Sequence, residues 1–121
     1  MVLLVEDAMS GSERLKSALE ARNLEVLHTT NGMDALALTR EKRPHLVVLN
    51  TMTQKMNGYQ LCRLLKFDSR FSHIPVIIIS SRTGEADREL GMACGGNEYI
   101  SKPYDVNKLI GVIEGYLGSS N

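Results

Sequence analysis

Five short apolar runs alternate with five helix-like stretches along this chain, and that alternation limits its fold more than any other feature. Strands are read at 2–5, 25–29, 46–50, 75–79 and 98–101. Three of them, Val2-Leu3-Leu4-Val5, Leu46-Val47-Val48-Leu49 and Pro75-Val76-Ile77-Ile78-Ile79, are apolar throughout, the pattern of parallel strands covered on both faces. The second, Glu25-Val26-Leu27-His28-Thr29, is more polar and suits a sheet edge. The first helix carries Ser10 three residues before Glu13, a capping-box spacing, with Leu15, Ala18 and Leu19 as its apolar positions. A second helix is expected over 33–42, after the Asn31-Gly32 turn. The third follows Gly58 and is read with Leu61, Leu64 and Leu65 on one face. The fourth, over 85–93, stops before Gly95-Gly96. The last, capped by Asp105, sets Val106, Leu109, Ile110, Ile113 and Leu117 at helical spacing, a core-packing stripe.

Strict βα alternation with short connections requires a parallel sheet with right-handed crossovers. The expected architecture is therefore α/β: a flavodoxin-like (βα)5, doubly wound, five-stranded parallel sheet of order 2-1-3-4-5. At 121 residues it forms one domain, 1–121, with 118–121 as tail. In that order the topological switch falls between strands one and three, and ligands collect there at the strands' carboxyl ends. Glu6 and Asp7 follow strand one and Asn50 closes strand three. Lys102 follows strand five. An acid pair and a lysine around a strand end would make a phosphate-and-metal site if position 50 held an aspartate. It holds an amide.

The bulk properties narrow the class further. Fourteen basic and fourteen acidic side chains cancel, so no global field favours nucleic acid or an anionic membrane. No run approaches 18 apolar residues and no basic-then-apolar leader is read, as expected of a cytoplasmic protein with no membrane partner. Cys62 and Cys94 lack CxxC spacing and read as reduced, buried thiols within helices. His28, His45 and His73 are scattered singly across strand edges and loops. None has a partner at metal-ligand spacing, so they read as surface or loop residues.

Five segments together resemble the receiver domain of two-component response regulators: Leu4-Val5-Glu6-Asp7, Pro44-His45-Leu46-Val47-Val48-Leu49-Asn50, Met56-Asn57-Gly58, Ile74-Pro75-Val76-Ile77-Ile78-Ile79-Ser80-Ser81, and Tyr99-Ile100-Ser101-Lys102-Pro103-Tyr104. Each lies at an expected strand end, and the resemblance spans essentially the whole chain. It implies a phosphoacceptor at position 50 that takes a phosphoryl group from a histidine kinase or phosphotransfer protein. It also implies Mg²⁺ held by Glu6, Asp7, position 50 and the backbone carbonyl of Met52, neutralising anionic attack on an anionic group. Lys102 would pair with the phosphoryl oxygens and Ser80 would bond them in the active state. Tyr99 would turn inward behind Ser80 as the switch. The implied partners are that kinase or transfer protein, a downstream effector or a fused output module; no direct nucleic acid contact is expected.

Asn50 breaks this scheme. A carboxamide oxygen is neutral and a poor nucleophile, so no stable acyl phosphate forms there. Glu6, Asp7 and an aspartate at 50 with Lys102 would sum to −2; with Asn50 the sum is −1, and Mg²⁺ should bind more weakly. The family's Met-Pro pair after the acceptor is Thr53-Gln54 here, leaving a less constrained loop, and its phenylalanine after Lys-Pro is Tyr104. Thr51 and Thr53 bring hydroxyls near, but nothing there makes them nucleophilic. The leading expectation is a pseudo-receiver acting by protein–protein contact, without enzymatic activity of its own. The alternative is an ordinary Mg²⁺-dependent receiver whose aspartate was changed to asparagine, as the otherwise complete site allows. A flavin carrier would need a Ser/Thr/Gly-rich loop after strand one, which Glu6-Asp7 replaces, so no flavin is expected. An aspartyl phosphatase would need an acid at position 8, which is Ala8.

Overall fold

The computed structural model describes residues 1–6, 12–51, 56–82 and 84–118. Ten elements alternate in chain order: β1 (Val2–Val5), α1 (Ser12–Glu20), β2 (Val26–Thr29), α2 (Gly32–Lys42), β3 (Leu46–Asn50), α3 (Gly58–Lys66), β4 (Val76–Ser80), α4 (Glu85–Ala93), β5 (Glu98–Ser101) and α5 (Val106–Tyr116). All strand pairings are parallel and the sheet order is β2-β1-β3-β4-β5, the order expected from the sequence. The polar second strand is an edge.

The two-residue period of the strands sorts their side chains into two cores. Leu3, Val5, Val47, Leu49, Val76 and Ile78 face α2, α3 and α4, where Ala35, Leu61, Leu65 and Cys94 close the layer. Val2, Leu4, Leu46, Val48, Ile77 and Ile79 face the other way, onto Leu15 and Leu19 of α1 and Leu109, Ile110 and Ile113 of α5. Burying each such side chain stabilises the fold by roughly 1.5–3 kcal/mol, which is why the apolar runs fix the strands so firmly.

Helix ends are set by local chemistry. The Asn31 side chain accepts from the Asp34 amide to start α2. Asn57 and Gln60 form a complete capping box on α3, at a spacing also legible in the sequence. Asp105 accepts from the amides of Asn107 and Lys108 to start α5, as expected. Ser10, the capping residue of the expected box with Glu13, lies outside the described residues. Cys62 is fully buried in α3, whereas Cys94 caps the end of α4 rather than lying inside it; both thiols are free.

Two readings need correction. Leu64 does not share the inward face of α3, for it is 48% exposed while Leu61 and Leu65 are fully buried. Residues 58, 61, 62 and 65 span one arc of the helix, and at about 100° per residue Leu64 falls roughly 110° away from its centre. His28 is not a bystander either. It is half-buried in β2 and its Nε2 lies 2.9 Å from the backbone carbonyl of Glu6. A carbonyl only accepts, so Nε2–H donates in this contact.

Candidate functional site

The carboxyl ends of β1, β3, β4 and β5 bring Glu6, Asn50, Ser80 and Lys102 into one crevice at the switch point. Asp7 and the Met52 carbonyl, expected to join them, lie outside the described residues. Asn50 is 7% exposed at the last position of β3. The chain turns back immediately behind it: the Gly58 amide donates to the Thr51 carbonyl at 3.0 Å. A Cβ on Gly58 would collide with the Asn50 carbonyl oxygen and lie 2.8 Å from the Thr51 Cα, so only glycine permits this approach.

Glu6 is 2% exposed, and Lys102 Nζ stands 2.8 Å from its Oε2. The contact is an ion pair rather than a directed hydrogen bond, since neither carboxylate oxygen receives a hydrogen bond from a described residue. A buried carboxylate with lone pairs left over is costly unless something further satisfies it. Its hard oxygens fit a hard divalent cation, which fills such lone pairs. Among the described residues no group of three His, Cys, Asp or Glu side chains forms a metal set, so Glu6 would need Asp7 and neutral oxygens such as that of Asn50. The same negative charge reaches Tyr104: burial first, then Glu6, push its phenol up to about 12.

Ser80 ends β4 fully buried. Its Oγ lies 2.9 Å from Thr51 Oγ1 and accepts from the Arg82 amide at 3.0 Å. The β3–β4 register pairs Asn50 with Ile79, which brings the next residues, Thr51 and Ser80, side by side. Thr51 is thus part of the crevice as the partner of the Ser80 hydroxyl. Its position after Asn50 was visible in the sequence; its pairing depended on the register.

Tyr99 points inward at 4% exposure, in the orientation the resemblance assigns to the switched-on state. Its hydroxyl donates to the Arg82 carbonyl at 2.8 Å and stands 3.3 Å from the Tyr59 hydroxyl. Burial, and then the bond to Tyr99, raise the pKa of the Tyr59 phenol. Arg88 of α4 lies over the Tyr99 ring, 5.5 Å from its centroid. Beneath the ring is Gly91, where a Cβ would come within 2.7 Å of Tyr99 Cδ2. Tyr59 and Gly91 carry no local signal in the sequence, because each acts only through a residue remote in the chain.

Comparisons with known proteins show the family and the fold. The response regulator receiver domain family model matches residues 2–114. The chain is 34% identical over 119 residues to the polar-differentiation response regulator DivK of Brucella anthropi, covering 98% of this chain and 97% of that one. It is 34% identical to Protein PilH of Pseudomonas aeruginosa over 116 residues, covering 96% of each. Among solved structures, a signal receiver domain of a histidine kinase from Syntrophus aciditrophicus superposes with TM-score 0.90 at 30% identity, covering 99% of this chain and 91% of the other. The receiver domain of a sensor histidine kinase from Pseudomonas aeruginosa, solved with magnesium in its active-site cleft, shares the fold with TM-score 0.87 at 22% identity, covering 98% of this chain and 97% of the other. Whole-chain coverage by family, relatives and fold leads to one placement: this chain belongs to the response regulator receiver domain family.

Proposed function

We propose that this chain, a single receiver unit over 1–121, works in two-component signalling through protein–protein contacts and takes no phosphoryl group at position 50. The observation that carries the reading is Asn50, 7% exposed at the carboxyl end of β3, where the family places its nucleophilic aspartate. An amide oxygen there has neither the charge nor the electron density to attack phosphorus.

Two arrangements support a signalling state set by the protein's own groups. Lys102, expected to pair with phosphoryl oxygens, is paired with Glu6 at 2.8 Å. Ser80 and Tyr99, expected to respond to the phosphoryl group, are engaged by Thr51, the Arg82 backbone and Tyr59. The inward Tyr99 needs no bound phosphate to hold it. The partners are then a histidine kinase, a phosphotransfer protein or an effector that reads the surface. Magnesium would be held by Glu6, Asp7, the Asn50 amide oxygen and the Met52 carbonyl. When bound, it supplies neutralisation of negative charge, more weakly at a site of net −1 than of −2. Such a protein is a signalling module rather than an enzyme, and we place it in the cytoplasm; no helix among the described residues is long and apolar enough to cross a membrane.

A second reading is an Mg²⁺-dependent receiver altered at position 50 alone, favoured by the intact Glu6, Ser80, Tyr99 and Lys102. The two part at codon 50 of the source gene. The chemical test is incubation of the chain and of Asn50→Asp with acetyl phosphate and Mg²⁺, followed by intact mass measurement. Asn50→Asp should gain one hydroxylamine-sensitive phosphoryl group and the parent chain none. A hydroxylamine-sensitive phosphoryl group on the parent chain would sink the proposal.

A further inference from the structure

The outer face of α3 is built for contact in a way the crevice does not explain. Leu64 is 48% exposed and Phe67, just past the helix end, is 71% exposed. With Met56, Gln60, Arg63 and Asp68 they line an open groove of roughly 710 Å³. Gln60, Arg63, Leu64 and Phe67 are spaced three and four apart, so they form one stripe opposite the buried face. Exposed apolar residues scattered singly carry no message, but a contiguous strip with a polar rim marks an interaction site.

The charge around the groove says what covers it. Arg63 lies over the Phe67 ring at 5.8 Å, and Arg43 and Arg70 lie over Phe71 at 5.9 and 5.0 Å. Arg40 of α2 is close enough to help Arg70 hold the Asp68 carboxyl down at about 2. Arg63 and Asp68 are the charged residues of the groove's lining, and Asp68 is already bonded to Arg70 at 2.7 and 3.1 Å, so with Arg40 and Arg43 close by the surroundings of the groove are basic. The acids of α2, Asp34 and Glu41, line a different hollow with His28.

We propose that this groove docks an amphipathic helix of a partner protein, with its apolar stripe on Leu64 and Phe67 and acidic side chains against the arginine rim. A second copy of this chain is a poor occupant, because a two-fold contact would set the arginines against themselves. Nucleic acid would meet the charge but leave the apolar floor of Met56 and Leu64 unmatched. The geometry is that of helix-in-groove recognition, read through anchors at i, i+3, i+4 and i+7.

The test uses the whole chain, ¹⁵N-labelled, and two designed helical peptides with leucines at i, i+3, i+4 and i+7. One is flanked by glutamates and the other by lysines; a poly-uridine oligonucleotide is the third probe. The glutamate peptide should shift amides over 56–69 and bind at least about tenfold tighter than the lysine peptide. Phe67→Ser should weaken it about tenfold, and Arg63→Glu should shrink the preference between peptides. Both residues are exposed, so circular dichroism should be unchanged; Leu64→Gln serves if Phe67→Ser disturbs the fold. Asn50→Asp should bind the same peptide equally, which keeps this result separate from that of the crevice. Shifts centred on α4 or α5, no dependence on peptide charge, no binding, or tighter oligonucleotide binding at the same amides would each overturn the proposal. So would a dimer in sedimentation that Phe67→Ser abolishes.

Discussion

Gly91→Ala sets two effects of similar size against each other, and the structure says which should win. In an open helix interior the change favours folding by roughly 1 kcal/mol, because alanine loses less backbone entropy and shields the backbone better. At Gly91 the added Cβ would lie 2.7 Å from Tyr99 Cδ2, 3.1 Å from Cε2 and 3.2 Å from Ile78 Cδ1. Overpacking of this kind costs roughly 1–3 kcal/mol. If the ring shifts to relieve it, the hydroxyl bond to the Arg82 carbonyl weakens, adding about 1 kcal/mol. The expected net loss is therefore about 1–3 kcal/mol. Gly111 and Gly115 in α5 are the internal controls, since nothing lies within 4 Å of a Cβ at either. Gly111→Ala and Gly115→Ala should each gain roughly 0.5–1 kcal/mol. Urea unfolding of the three variants measures the difference directly. In a Tyr99→Ala background most of the Gly91→Ala penalty should vanish, giving a coupling energy above about 1 kcal/mol. If Gly91→Ala proves as stabilising as Gly111→Ala, the claim that this glycine exists to seat Tyr99 inward is wrong.

Two other buried groups, Lys66 and Cys62, have measurable consequences of their own. Lys66 Nζ donates to the Ile74 carbonyl at 2.9 Å and to Asn97 Oδ1 at 3.1 Å, pinning the entry to β4, and burial lowers its pKa. Lys66→Met keeps the stem but strands the carbonyl, and should cost about 1–2 kcal/mol in urea midpoint; no loss would show that water replaces the ammonium without penalty. At alkaline pH, burial holds the Cys62 thiol up at about 12, so the folded state keeps a proton that the unfolded chain releases above its ordinary value near 9. That stability is complete below about pH 9 and is lost as pH rises toward 12, by about 1.4 kcal/mol per pH unit. Cys62→Ala should flatten this part of the pH profile, and an unchanged slope would refute the assignment.

How much was legible in the sequence depends on the range of the force involved. Strands one, three and four declared themselves because a parallel strand buried on both faces tolerates little but apolar residues, and Glu6, Asn50 and Lys102 were placed by those strands alone. Leu64 shows that leucine alone does not signal burial, because the angular position on α3 decides; Cys62, a weaker apolar signal, holds the inward place instead. The partners of the switch residues were out of reach for another reason. Thr51 meets Ser80 through a strand register, and Tyr59 meets Tyr99 across 40 positions of chain, so no local pattern announces either.

That division bears on the meaning of Asn50. On the proposed reading, Ser80 and Tyr99 meet no phosphoryl group, and two buried hydroxyls are left in need of other partners. Each is satisfied from inside the protein, and Gly91 leaves the room that one of them needs. Buried hydroxyls without partners cost roughly 1–3 kcal/mol apiece, so this satisfaction is worth as much as a substantial core contact. The inward Tyr99 is therefore held by the chain's own groups, and on the proposed reading of Asn50 a partner that reads the surface behind it meets a formed target without phosphotransfer.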